Sequence, residues 1–65
     1  MNWDQVEGNW KEFKGKAKVQ WGKLNHDDLN VVEGSRDQLE GLLQKQYGYA
    51  KEKSKTEVDK WLKSF

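Results

Sequence analysis

The sequence predicts an all-α fold, a small bundle of three to four short helices. Apolar residues recur at spacings of three and four along most of the 65-residue chain, which is the period of one helix face. Proline is absent, and no stretch alternates polar and apolar residues as a half-buried strand does. We expect one domain over residues 1–65, with helices near 3–22, 26–33, 35–47 and 50–63.

The first helix is predicted from apolar residues at spacings of 3, 4, 3, 4 and 7, namely Trp3, Val6, Trp10, Phe13, Ala17 and Leu24. Gly22 provides a stop. Asn25 is expected to cap the next helix, because its side chain can accept a hydrogen bond from a free backbone N–H. Asp27 and Asp28 would then lie in the first turn, where the helix dipole favours carboxylates.

The chain contains an internal repeat. A shift of 26 residues aligns 3–24 with 29–50, and all six glycines belong to the match. The second unit has its own apolar face, formed by Leu29, Val32, Leu39, Leu43 and Ala50. Two copies are too few for a solenoid, so we expect two similar helical units packed against each other. A last amphipathic helix at about 50–63 is predicted from Val58, Trp61, Leu62 and Phe65.

Glycine recurs every seventh residue within each unit, at Gly8, Gly15 and Gly22 and at Gly34, Gly41 and Gly48. These positions lie on the side of each helix opposite its apolar face, which we call the seam. A glycine at such a position in a helix costs about 1 kcal/mol of stability relative to alanine. Three explanations are open. The glycines interrupt the helices, above all at Gly8, Gly34 and Gly48; they allow close approach of another backbone; or they keep the helices loose, so that folding is conditional.

Arg36 is the single arginine. It lies at the position on the apolar face of the second unit that corresponds to Trp10 in the first unit. One interpretation is an ion pair with Glu33 or Glu40, three and four residues away. The other is a cation–π contact with a tryptophan of the first unit. With Arg36, the side chains that we expect to hold the bundle together are Trp10, Phe13, Trp21, Leu39, Leu43 and Trp61.

Composition excludes several function classes. Without cysteine there is neither a disulfide framework nor a thiolate metal site, and the lone His26 has no nucleophile or second imidazole beside it. We therefore predict no catalytic residue, no cofactor and no metal. The longest apolar runs are pairs, so we expect neither a signal peptide nor membrane insertion. We expect a cytoplasmic monomer.

Lys11, Lys14 and Lys18 form a basic stripe at i, i+3 and i+7, beside Trp10 and Trp21. Lysines with aromatic rings can bind single-stranded nucleic acid by charge and stacking, so this is an alternative function. However, tryptophans at seam spacing are more often core residues, and the pI of 7.9 is below the value of about 9 typical of nucleic-acid-binding domains.

Membrane-surface association is a third class. Lys60, Lys63, Trp61 and Phe65 in the last helix could contact a lipid surface, although Glu57 and Asp59 weaken attraction to anionic lipids.

The segments "VEGNWKEFKGKAK", "WGKL", "EGSRDQLEG" and "QYGYAKEKSKTEV" resemble the CsbD-like family of small bacterial general-stress proteins, over about residues 2–60. The resemblance implies stress induction and a small helical bundle, with no enzymatic activity to transfer. The mean hydropathy of −1.19 is similar to that of the hydrophilins, which are associated with protection of other macromolecules under water stress. We therefore predict a non-catalytic general or osmotic stress-response protein with unidentified protein clients.

Overall fold

Residues 2–65 of the computed structural model form five helices: α1 (Trp3–Gly8), α2 (Trp10–Gln20), α3 (His26–Val32), α4 (Arg36–Tyr47) and α5 (Lys51–Lys63). No strand occurs among these residues, which confirms the all-α prediction. Met1, which the predicted domain includes, lies outside the described residues. The longer helix of the first repeat unit, α2, begins at Trp10, and that of the second unit, α4, begins at Arg36. These two positions are equivalent in the repeat.

The prediction of one continuous helix over 3–22 is wrong, and the described chain therefore has one helix more than expected. The helix breaks at Asn9, whose backbone has φ −124° and ψ 36°. Gly8 is a poor helix former, and the Asn9 side chain offers the backbone an alternative partner, because its Nδ2 donates to the carbonyl oxygen of Gln5 (3.1 Å). Interruption is therefore the correct explanation at Gly8.

The other helix boundaries follow local sequence signals. The Asn25 side chain accepts a hydrogen bond from the backbone N–H of Asp28 (2.7 Å), as predicted. At the start of α1, Asn2 and Gln5 form a reciprocal capping box. Gly48 ends α4 in the left-handed region with φ 69°, as expected of a glycine after a helix.

The core consists of apolar side chains from all five helices and from the turn between α2 and α3: Val6, Phe13, Ala17, Trp21, Leu24, Leu29, Val32, Leu39, Leu43, Val58, Trp61 and Leu62. Trp3 and Trp10 are half-buried against it. The prediction that Ala50 lies on the apolar face of the second unit is wrong, because Ala50 is exposed. The helix ends at Gly48, so the helical spacing of apolar residues in α4 does not extend to Ala50, two residues later.

The buried hydroxyl of Ser54 on α5 predicts a stabilising substitution. This side chain is fully buried, and its Oγ has no hydrogen-bond partner among residues 2–65. Ser54→Ala removes the cost of desolvating that hydroxyl and is expected to raise the free energy of unfolding by about 1 kcal/mol in urea titrations. Thr56→Ala is the matched control, because the Thr56 hydroxyl is exposed and donates to the Glu52 carbonyl. A loss of stability in Ser54→Ala would contradict the prediction.

Candidate functional site

Six of the eight aromatic side chains gather in one cluster, which we call the aromatic cluster: Trp3, Trp10, Phe13, Trp21, Trp61 and Phe65. Trp61 of α5 lies at its centre and is only 3% exposed. Its ring centroid is 5.1 Å from that of Trp21, 6.2 Å from that of Phe13 and 6.4 Å from that of Trp3. One indole of α5 therefore contacts α1, α2 and Trp21, the residue that follows α2.

Two indole N–H groups of the aromatic cluster tie the first unit to the second. The N–H of Trp3 donates to the carbonyl oxygen of Gly34 (2.7 Å), and that of Trp10 donates to the carbonyl oxygen of Leu29 (3.0 Å). Half-buried indoles need such partners because an unpaired donor is costly away from water. Helical periodicity predicted that both rings would face the core, but it carries no information about these acceptors.

The turn between α3 and α4 passes close to α1. Glu33 and Gly34 both lie in the left-handed region, with φ 48° and 84°. A Cβ at Gly34 would be 3.1 Å from Cγ and 3.2 Å from Cα of Glu7. Gly34 is buried, so the expectation that it faces away from the core is wrong, and both interruption of the helix and close backbone approach explain this glycine.

Gly34→Ala is expected to lower the free energy of unfolding by about 1–2 kcal/mol, because alanine is strained at positive φ and its Cβ would press on Glu7. Thermal and urea denaturation would measure the loss. Gly22→Ala is the control: Gly22 is exposed, its φ is not positive, and a Cβ there would meet no atom of the described chain within 4 Å. Equal stability of the two variants would contradict the close contact.

Arg36 holds α4 and α5 together. Its Nε donates to Oε2 of Glu40 (2.7 Å), and one terminal nitrogen donates to Oδ1 of Asp59 (2.7 Å) and to the Lys55 carbonyl (3.3 Å). The predicted pair with Glu40 is confirmed. The cation–π contact with a first-unit tryptophan is wrong: within residues 2–65 the guanidinium engages carboxylates of α4 and α5 instead.

The electrostatics of Arg36 follow from this position. Partial burial on its own would lower the pKa of Arg36, but hydrogen bonds and charge from Glu40 and Asp59 outweigh that effect and raise the pKa. The Glu40 side chain is only 8% exposed, whereas that of Asp59 is 56% exposed. Arg36 therefore compensates a buried carboxylate and, through Asp59, attaches α5.

The aromatic cluster reaches the surface at the end of the chain. Phe65 is 42% exposed, and its ring meets that of Phe13 edge to face, with centroids 5.2 Å apart. The ammonium of Lys16 lies 5.1 Å from the Phe13 centroid and 4.9 Å from the Phe65 centroid. The edge of the cluster is therefore an aromatic surface with a cation over it.

The predicted nucleic-acid stripe does not combine with stacking rings. The Nζ of Lys14 donates to Oδ1 of Asn30, and that of Lys18 donates to the carbonyl oxygen of Gly22, while Lys11 is exposed. Trp21 is buried, and Trp10 is half-buried with its N–H engaged. The lysines are therefore on the surface, but the tryptophans expected beside them pack in the core.

A shallow apolar groove of about 320 Å³ lies between α3 and α4. Val31, which is 69% exposed, and half-buried Leu42 line it beside the bare backbone of Gly41. Asp28 and Lys45 add one charge of each sign. The spacing of apolar residues did not predict this groove, because Val31 is not on the apolar face that the spacing defines.

The connection between α4 and α5 is short. It consists of Gly48, Tyr49 and Ala50. The rings of Tyr47 and Tyr49 stack with centroids 5.2 Å apart, and the Tyr47 hydroxyl accepts a hydrogen bond from the Lys23 backbone N–H (3.2 Å). Two aromatic side chains therefore flank the turn at Gly48.

Two features are absent from residues 2–65. None of the helices in this part of the chain is long and apolar enough to span a bilayer. Within the same residues, no group of three or more histidine, aspartate and glutamate side chains is arranged to hold a metal ion.

Comparison with known proteins places the whole bundle in one family. A family model described as CsbD-like matches residues 4–56. The chain belongs to the CsbD-like family. A UPF0337 protein of Pectobacterium atrosepticum is 64% identical over 61 residues, which cover 94% of this chain and 88% of the relative. The UPF0337 protein YjbJ of Escherichia coli K12 is 56% identical with the same coverage. A UPF0337 protein of Rhodopseudomonas palustris is 62% identical over 61 residues, covering 94% and 92%.

The part matched by the CsbD-like model ends inside α5. Residue 56 precedes Val58, Asp59, Trp61 and Leu62, which make the main contacts between α5 and the rest of the bundle. The alignments with the relatives, each over at least 61 of the 65 residues, extend further than the family model.

Proposed function

We propose that this protein is a non-catalytic, cytoplasmic stress-response protein that protects other proteins by binding them through its aromatic cluster. Its family is associated with the general stress response. The observation that carries the proposal is the packing of Trp61, on the highly charged helix α5, against the rings of Trp3, Phe13 and Trp21. Large aromatic surfaces contribute most of the apolar contact that a client could use.

Exposure of this surface requires α5 to separate from the other helices. The helix is attached by the buried side chains of Val58, Trp61 and Leu62, and by Arg36 through Asp59. A chain of 65 residues has a total stability of only about 5 kcal/mol, and partial openings cost less than complete unfolding. Conditions that weaken the fold therefore make separation of α5, and with it exposure of these rings, more frequent.

Two glycines adjust the threshold for opening. Gly15 and Gly41 lie inside α2 and α4, and a Cβ at either position would meet no described atom within 4 Å. Neither a left-handed backbone nor close packing requires glycine there, so the glycines lower helix stability without a local gain. They support the third sequence-based explanation, in which the helices are kept loose.

The charged exterior keeps the opened form in solution. The chain has 12 basic and 11 acidic residues and a net charge of +1, so that both signs are present and self-repulsion is small. Charged side chains of both signs, dispersed over the surface, limit the contiguous apolar patches through which such a chain would associate.

A drying assay tests the proposal. Malate dehydrogenase is dried and rehydrated with increasing amounts of this protein, and recovered activity and light scattering are measured. We expect recovery to rise with the molar ratio and to exceed that given by an equal mass of lysozyme. A variant in which Gly15 and Gly41 are both replaced by alanine should protect less, because its threshold for opening is higher. Protection equal to that of lysozyme, or unchanged in the variant, would contradict the proposal.

A further inference from the structure

We propose that a second copy of this chain binds at the site that α5 occupies, by reciprocal exchange of α5 between two copies. In such a dimer, Trp61 of each copy packs against Trp3, Phe13 and Trp21 of the other, and Asp59 of each pairs with Arg36 of the other. The exchange requires no client protein, so it stands independently of the protective function.

The connection between α4 and α5 permits the exchange. Gly48 lies in the left-handed region, with φ 69°, and Ala50 is extended, with φ −66° and ψ 158°. The chain contains no proline, so Tyr49 and Ala50 can both enter a helix. Conversion of Gly48, Tyr49 and Ala50 to right-handed helical geometry would join α4 and α5 into one helix over residues 36–63, about 40 Å long at 1.5 Å per residue. Such a helix carries α5 away from its own bundle.

The start of α5 favours a continuous helix. Ala50 occupies the N-cap position, and among the described residues no side chain accepts a hydrogen bond from the first turn there. In contrast, Asn2, Asn25 and Ser35 each cap the helix that follows them. Free N–H groups in the first turn of α5 would gain carbonyl partners from the end of α4 if the two helices joined.

Exchange retains the contacts that hold α5. The aromatic neighbours of Trp61 and the partners of Arg36 are the same in the monomer and in the exchanged dimer, because each copy supplies an identical site. The losses are the stack of Tyr47 on Tyr49 and the entropy of association. The balance depends on protein concentration and on the conformation of Gly48, so the monomer expected from the sequence prevails in dilute solution.

The first test changes Gly48. Gly48→Ala penalises the left-handed turn of the monomer, although a Cβ there meets no described atom within 4 Å. After brief warming and cooling at millimolar concentration, light scattering coupled to size exclusion should show a dimerisation constant about a hundredfold above that of the parent, since alanine is disfavoured about tenfold in the left-handed region and each dimer converts two such turns. Gly22→Ala, the matched control, should behave as the parent. A Gly48→Ala protein that remains monomeric would overturn the proposal.

The second test asks whether α5 is the exchanged element, using two charge-reversal variants in the Gly48→Ala background. Arg36→Glu, made together with Glu40→Gln so that no buried carboxylate loses its partner, places like charges against Asp59, and Asp59→Lys places like charges against Arg36, so each variant alone repels its own α5. In the mixed dimer both contacts become attractive, because the introduced lysine of one variant meets the introduced glutamate of the other, and the unchanged Asp59 meets the unchanged Arg36. We expect a heterodimer on warming the mixture and little dimer from either variant alone. A dimer that forms equally well from one variant alone, or no heterodimer in the mixture, would overturn exchange of α5.

Discussion

Trp61→Ala is expected to reduce the free energy of unfolding to about 0–2 kcal/mol, so that up to about half of the molecules are unfolded at room temperature. Truncation of a buried tryptophan costs about 3–5 kcal/mol, and the total stability of a domain of this size is about 5 kcal/mol. The indole is 3% exposed, and its loss removes the common neighbour of Trp3, Phe13, Trp21 and Phe65. Far-UV circular dichroism should show a partial loss of helix at room temperature, and the urea midpoint should fall close to zero.

The matched control for Trp61→Ala is Val19→Ala, because Val19 is an apolar helix residue that is 87% exposed. Its free energy of unfolding should change by less than about 0.5 kcal/mol. Trp61→Phe retains a ring in the same space and should fall between the parent and the alanine variant in urea titrations. If Trp61→Ala kept the urea midpoint of the parent, Trp61 would not be the centre of the core.

Helical period was enough to predict most of the fold. The spacing of apolar residues identified Val6, Phe13 and Ala17 in the first unit and Leu39 and Leu43 in the second, and all five are buried. The prediction succeeded because amphipathic spacing is a local property of each helix. It missed the break at Asn9, although the apolar spacing continues across it, and it failed at Ala50, because the helix ends at Gly48.

The candidate site was less predictable, because its contacts join residues far apart in the chain. The pair of Arg36 with Glu40 spans one helical turn and could be predicted, but Asp59 lies 23 residues away on another helix. Its approach depends on the direction that α5 takes after Gly48, which no spacing rule specifies. Gly34 shows the same limit, since only the position of Glu7 in space explains its burial.

The double substitution Gly15→Ala and Gly41→Ala is expected to raise the free energy of unfolding by about 2 kcal/mol, in proportion to the cost of about 1 kcal/mol for each glycine in a helix interior. Both residues are exposed in the middle of helices, and among residues 2–65 no atom lies within 4 Å of a Cβ added at either position. For a domain of this size, a gain of about 2 kcal/mol corresponds to a rise of roughly 8–16 °C in the melting temperature. Calorimetry and urea titration would measure the gain.

Gly34→Ala separates the two kinds of glycine in this experiment. Gly34 belongs to the same seven-residue period as Gly41, yet its backbone is left-handed and it contacts Glu7, so alanine should destabilise the chain there. Opposite signs for Gly34→Ala and for the double variant would show that the period combines glycines that the backbone requires, such as Gly34, with Gly15 and Gly41, which only soften the helices. If the double variant were instead destabilised, a partner would have to occupy the exposed faces of α2 and α4 at Gly15 and Gly41, and loosening of the helices could not explain these glycines.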